Sequence, residues 1–348
     1  VTLGRKGGAD VSVREGTIEE LRAAVGLQIA DEDLLRTLVS GLGDVEEILH
    51  EAVRSDVEAI NEAARHLVDA GGKRFRPMFT LLAGQFGTTD RDGVVTAAAA
   101  VELVHLATLY HDDVMDEATM RRGAPSVNAR WNNTVAILTG DYLFAHASRL
   151  VADLGTDAAR IIAETFGELV TGQMRETVGP ADGEDPVDHY LSVIGQKTGS
   201  LIATAGRFGG MLSDARPEHI DALRRFGDLV GTAFQISDDI IDIASSSGEL
   251  GKSQGTDLRE GVRTLPMHYA LSGTPDPRLA RLLDGPLTDD SLVDEALQLL
   301  RASGGLERAH ATLNDYARRA REELTALPSS PAREACESVA DYLVARTR

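Results

Sequence analysis

The chain has 348 residues, a formal net charge of −20 and 43% apolar side chains, enough for one large domain or two ordinary ones around a real core. The acidic balance, with no basic stripe to offset it, excludes a nucleic-acid-binding protein. The single Cys336 excludes a disulfide framework and fits a reducing, cytoplasmic setting.

Residues 1–25 carry Gly and mixed charge without periodicity and read as a mobile tail. From there residues 26–348 read as one all-α domain. Val45, Leu49, Ala52, Ile60, Ala64 and Leu67 recur at three- and four-residue steps. "GGKRFRP" breaks the helix with two glycines and a proline. "VVTAAAAVELVHLATLYHDD" follows as a long helix that is apolar on nearly all sides and therefore buried. "AILTGDYLFAHASRLVADL", "RIIAETFGELVTGQMRETV", "YLSVIGQKTGSLIATAGRFGGML" and "IDALRRFGDLVGTAFQISDDIIDIA" continue in the same style. Gly/Pro/Ser-rich loops separate them, and three amphipathic helices close the chain. Aromatics are only 4%, alternating strands are absent, and the fold expected is a single-domain bundle of long helices. No stretch reads as long and apolar enough to cross a membrane, and no signal peptide is expected.

Two acidic clusters have the form D-D-x-x-D inside apolar helices: Asp112, Asp113, Asp116 and Asp238, Asp239, Asp242. Residues i and i+4 share a helix face, so each motif aims two carboxylates one way. Half-buried carboxylates so close protonate unless a cation sits between them. All-oxygen ligands suit Mg²⁺, which draws its remaining ligands from water and substrate phosphates. Basic residues stand at helix breaks or beside the acidic motifs: Lys73, Arg74 and Arg76 in "GGKRFRP", Arg121 and Arg122, Lys197 and Thr198 in "GQKTGS", and Lys252 in "GKSQGTD". Anion sites beside divalent-metal sites imply a diphosphate.

"GGKRFRP", "ELVHLATLYHDDVMDEATMRRG", "GQMRE", "QKTGSL", "FQISDDIID" and "GKSQGTDLREGVRTLP", in that order, resemble the all-trans polyprenyl diphosphate synthases from about Asp31 to the C-terminus. The resemblance implies an all-α bundle around a deep central cavity, a homodimer, and Mg²⁺-dependent condensation of isopentenyl diphosphate with an allylic diphosphate. It implies that Asp112 and Asp116 hold two Mg²⁺ and Asp238 a third, with Asp239 and Asp242 beside the metal-bound waters. It implies an allylic diphosphate on Arg121, Lys197 and Lys252, and isopentenyl diphosphate on Lys73, Arg76, His105 and Arg122. Thr198 and Gln235 are expected near the developing cation, and Gln173 and Glu176 as a polar pair beside the metals. One departure stands out. The family's "EGKxTLP" reads "EGVRTLP", so Val262 replaces a lysine, and Arg263 is the candidate substitute.

Product length should be set upstream of Asp112. Thr108 lies one turn below the carboxylates and Val104 two, at about 5.4 Å per turn. In the family, bulky aromatics four and five residues before the first motif stop the chain early. Here those positions are Ala107 and Thr108, so a long product of about six to ten isoprene units is expected, each unit matching roughly one helical turn. Phe144 and Leu150 are the candidate floor. Alternatives are a geranylgeranyl or farnesyl diphosphate synthase, a terpene cyclase, a non-catalytic synthase subunit, and a di-iron bundle built on Glu102/His105 and Glu307/His310. An amphiphilic product also implies transient contact with a membrane surface at release.

Overall fold

The computed structural model describes residues 23, 26–88, 90–244 and 254–347. The expected tail, Ala23 apart, and Lys252 lie outside them. The chain divides into two compact units, one of residues 1–166, 201–224 and 324–338, the other of residues 167–200, 225–323 and 339–348. Helices make up nearly all the regular structure.

In the first unit the early helices are α1 (Glu32–Ala52), α2 (Glu58–Asp69) and α3 (Phe75–Ala83). Asp31 caps α1 by accepting from the Leu34 amide at 2.8 Å. The long α4 (Arg91–Met115) is capped by Asp90 in the same way. Ala97 to Val101, Leu103, Val104, Leu106 and Ala107 are all 0% exposed. These small side chains let α4 lie close against α6 (Asn133–Asp153), whose Leu143 and Ala147 are also fully buried. By length and hydropathy α4 could cross a membrane, contrary to the sequence expectation, but 78% of its most apolar window is buried in the protein. It is a core helix, and each buried Val or Leu on it contributes about 1.5–3 kcal/mol. The short α5 (Val127–Arg130) leads into α6, and α7 (Thr156–Val178) follows it. Later in the chain, α9 (Ser200–Leu212) crosses α3 so closely that a Cβ on Gly209 would fall 2.2 Å from the Thr80 carbonyl oxygen.

The second unit begins within α7 and contains α8 (Pro186–Ile194), started by Asp185 and Pro186. A π-helical turn, Gly195–Gly199, joins α8 to α9. Most of the 28-residue α10 (Pro217–Ala244) belongs to this unit. So do α11 (Thr256–Glu260), α12 (Leu265–Leu271), α13 (Pro277–Leu282) and α14 (Asp290–Ala302). Ile243, Leu258, Met267, Leu282, Val293 and Leu297 meet in one core there. The last two helices, α15 (Gly305–Leu324) and α16 (Pro331–Ala345), complete the amphipathic trio read from the sequence.

One element was not expected. Met120–Arg121 (β1) pairs antiparallel with Ala124–Pro125 (β2). The two linking residues, Arg122 and Gly123, have φ of +53° and +76°, the two positive values that a tight hairpin turn requires.

Candidate active site

In the first unit, "GGKRFRP" is held by its middle arginine. Gly71 and Gly72 have φ of +77° and +144°. Arg74 then adopts the left-handed conformation (φ +47°, ψ +33°) as the N-cap of α3. That conformation costs a non-glycine residue about 1–2 kcal/mol, and the side chain offsets it. Arg74 is 4% exposed. It donates to Glu46 at 2.5 Å, to Glu102 at 2.9 Å and to the Val68 carbonyl at 3.2 Å. Burial opposes the Arg74 charge, but Glu102 and Glu46 outweigh it and its pKa rises.

The flanking cations behave differently. Lys73 is exposed, and Arg76 is half-buried with no hydrogen-bond partner at its buried Nε among the described residues. His105, half-buried on α4, is held well below its usual pKa by burial and then by Arg76, Arg122 and Arg74, so its imidazole is neutral. Arg122 donates to the Leu67 carbonyl at 3.2 Å and to the Gly71 carbonyl, and lies 4.0 Å from Glu102. A Cβ on Gly72 would sit 2.7 Å from that guanidinium. Three of the four residues expected around isopentenyl diphosphate, Arg76, His105 and Arg122, are thus electrostatic neighbours, and Lys73 stands on the same loop.

The first acidic motif ends α4. Asp112 is half-buried, Asp116 is the exposed C-cap, and Asp113 is 0% exposed. Asp113 accepts from Arg121 Nε at 2.6 Å, and its Oδ2 has no hydrogen-bond partner among the described residues. Burial pushes the Asp113 pKa up, against the pull of Arg121. The hairpin explains why the two adjacent arginines part: Arg121 turns to Asp113, while Arg122 turns to Glu102 and Gly71.

In the second unit, Asp238 is half-buried and accepts from Arg346, near the end of the chain. The Arg346 guanidinium also lies 4.9 Å from the Phe234 ring centroid. Asp239 is 2% exposed. Its oxygens accept from Tyr190 and from Gln235 at 3.2 Å, and burial raises its pKa to about 7. Asp242 caps α11, accepting from the Thr256 amide at 3.1 Å and the Asp257 amide at 3.2 Å. Lys197, in the π-turn with Thr198, donates to Glu176. Gln173, on the same helix as Glu176, is half-buried.

The profile of the polyprenyl synthetase family matches residues 57–300. A nonaprenyl diphosphate synthase of Mycobacterium tuberculosis is 55% identical over 92% of this chain and 97% of its own length. A dimethylallyltranstransferase of the same organism is 46% identical over 91% and 98%. The crystal structure of a geranylgeranyl pyrophosphate synthase from Corynebacterium glutamicum, complexed with calcium and isoprenyl diphosphate, superposes with a TM-score of 0.83 at 51% identity, covering 92% of this chain and 99% of that one. The chain belongs to the polyprenyl synthetase family.

In this synthase the donor sets fit Mg²⁺ as the family uses it. Among the described residues no three acidic or His/Cys side chains form a metal cage. Mg²⁺ bound through one or two carboxylates, with phosphates completing the shell, needs none. Asp112, half-buried, and Asp116, exposed, stand one helical turn apart and would serve as such a pair.

Asp113 turns inward to Arg121 and Asp239 inward to Tyr190, off the face that residues i and i+4 of each motif share. Arg263, the candidate substitute for the lysine missing at the exposed Val262, donates to the Leu283 carbonyl at 2.9 Å and lies 3.4 Å from Asp284. Ala107 and Val104 are fully buried. The partly open stripe of α4 is instead His105, Thr108, Leu109 and Asp112, at helical spacing. Phe144 stacks on Phe166 at 4.0 Å, and Leu150 is half-buried. The di-iron reading fails at Glu102, which Arg74 already occupies.

Sequence reasoning missed three residues. Glu102 was read only as a candidate iron ligand, not as the partner of Arg74, and Arg346 was too remote to connect with Asp238. Asp257 is an acid among acids: burial and then Asp242, Asp239, Glu260 and Asp238 raise its pKa to about 8. Its signal was its place in "GTDLRE", beside a motif already recognised.

Proposed function

We propose that this prenyltransferase is a long-chain all-trans polyprenyl diphosphate synthase that adds isopentenyl diphosphate to an allylic diphosphate in the presence of Mg²⁺, to about six to ten isoprene units at roughly one unit per helical turn. Asp112 and Asp116 would hold two metal ions and Asp238, with Asp242 nearby, a third. Bound Mg²⁺ supplies charge neutralisation on the leaving diphosphate. Arg121, Lys197 and Lys252 bind the allylic diphosphate. Lys73, Arg76, Arg122 and the neutral His105 bind isopentenyl diphosphate. Asp113 orients Arg121 from beneath, and Glu176 orients Lys197. The Gln235 amide donates its nitrogen to Asp239, which fixes its rotamer. With Thr198 it lends oxygen dipoles to the developing allylic cation. In this reading the departing diphosphate takes the proton lost at elimination. The Ala- and Val-rich helix faces keep water from the cation.

The observation that carries the long product is the small, partly open Thr108 one turn before Asp112. The 55% identity to a nonaprenyl synthase supports it. A homodimer in the cytoplasm is proposed with it, and the exposed Ile137 and Leu138 on α6 are compatible with a buried partner surface. The test is incubation of the purified chain with isopentenyl diphosphate, farnesyl or geranylgeranyl diphosphate and Mg²⁺, with products read by mass. No elongation overturns the synthase reading and leaves a non-catalytic subunit. An end point at geranylgeranyl diphosphate overturns the long product alone.

A further inference from the structure

Glu102 sits in the most apolar part of the most buried helix. Its neighbours Val101, Leu103 and Val104 are 0% exposed, and it is itself 2% exposed. An ionised carboxylate in such a place is costly unless paired. Its partner is Arg74, at 2.9 Å. A second guanidinium, that of Arg122, lies 4.0 Å from the same oxygen, Oε1. Glu102 is also the main attractive charge on Arg76, whose buried Nε has no hydrogen-bond partner among the described residues. His105 follows three residues later on the same helix face.

These facts describe a graded counter-ion. Arg74 is consumed: Glu46, Glu102 and Val68 take its donors, and in return it stays in the left-handed cap that opens α3. Arg76 and Arg122 are drawn toward Glu102 without being paired at bonding distance. Without that charge, three guanidinium groups in a half-buried space would repel one another and spread. With full pairing, an incoming diphosphate would first have to break an ion pair.

We propose that Glu102 is the positioning residue of the isopentenyl diphosphate site: it touches no substrate, locks the "GGKRFRP" turn through Arg74, and holds Arg76 and Arg122 together but unneutralised for the diphosphate. The proposal rests on the reading of that site given above.

Steady-state kinetics with each substrate varied in turn test it, with circular dichroism to verify folding. Glu102→Gln keeps the shape and removes the charge. It should raise KM for isopentenyl diphosphate about tenfold or more while KM for the allylic diphosphate stays within about twofold. Because Glu102 acts through Arg74, the double variant Arg74→Met/Glu102→Met should be no worse for that KM than the poorer single variant. An unchanged KM in Glu102→Gln, equal rises for both substrates, or additive single effects overturn the proposal. If Glu102→Gln does not fold, Arg74→Lys, which keeps the cation but not the fork, should raise the same KM, and an unchanged KM in that variant overturns the proposal equally. Arg76→Ala separates the two levels. If it leaves the isopentenyl KM unchanged, the site reading falls and this proposal with it. If it raises that KM and Glu102→Gln does not, this proposal alone falls.

Discussion

The two D-D-x-x-D motifs share a sequence and differ in what backs them. Each buries its middle aspartate, Asp113 at 0% and Asp239 at 2% exposure. Asp113 is backed by a cation, Arg121. Asp239 is backed by a neutral phenol and a neutral amide, with Asp257 close enough to share its field. The outer residues differ too. Asp116 is exposed at a helix end, whereas Asp242 closes the next helix through two backbone amides. The buried carboxylate of the first motif is therefore neutralised from within the protein, by Arg121. The second carries surplus negative charge that wants a cation, and Arg346 on Asp238 partly supplies it. Two copies of one motif, read from spacing alone, do two electrostatic jobs.

The largest effect tests whether the first motif is catalytic at all. Asp112→Ala should lower kcat by several orders of magnitude while circular dichroism stays native. Near-normal turnover would remove the metal assignment. The open stripe on the same helix comes next. Thr108→Phe should shorten the products seen by mass spectrometry. Ala107→Phe, at a fully buried position, should instead cost about 1–3 kcal/mol of stability by overpacking. Equal shortening by both would break the distinction.

The backing itself is compared by denaturant melts in EDTA at pH 8. Asp113→Asn loses a charge-assisted bond and should cost about 1.5–3 kcal/mol. Asp239→Asn should cost less than about 1 kcal/mol, because its carboxyl is already reluctant to ionise. The reverse ranking would refute the contrast. Arg346→Gln should lower metal-free stability by about 0.5–1.5 kcal/mol and enlarge the stabilisation gained on adding Mg²⁺ with inorganic pyrophosphate. Equal gains in both proteins would show that Arg346 does not stand in for a cation.

A pH-dependent effect lies away from the motifs. Burial, and then Arg263, lower the pKa of His268 to about 4. The unfolded chain takes up that proton near pH 6.5 and the folded one does not. Its contribution to stability is therefore full above pH 6.5 and is lost as pH falls toward 4. His268→Gln should flatten that part of the acid loss by about 1–2 kcal/mol, measured as the difference in unfolding free energy between pH 7 and pH 5. An unchanged slope would show that the ring is not buried neutral.

What was legible in the sequence was local. The helical period gave α4, α10 and the closing amphipathic trio. The spacing of Asp112 and Asp116 gave the shared face, and the glycines of "GGKRFRP" gave the turn. What was not legible depends on distance in the chain or on rare backbone. Arg346 meets Asp238 from 108 residues away. The hairpin's two-residue strands are too short to show alternation. The inward turn of Asp113 and Asp239 follows from the 100° step between adjacent helical residues. Pattern matching treats those three letters as equivalent.

The π-turn at Gly195–Gly199 has a consequence for heredity. Such a turn is an α-helix carrying one surplus residue. Deleting that residue would let α8 and α9 run on as one regular helix, and it would rotate Lys197 by about 100° relative to one flank. A locally better helix would then carry a misdirected lysine. Length in "IGQKTGS" is thus constrained as tightly as identity, and single-residue deletions there should be lost from functional libraries even where every substitution at Gly195 is tolerated.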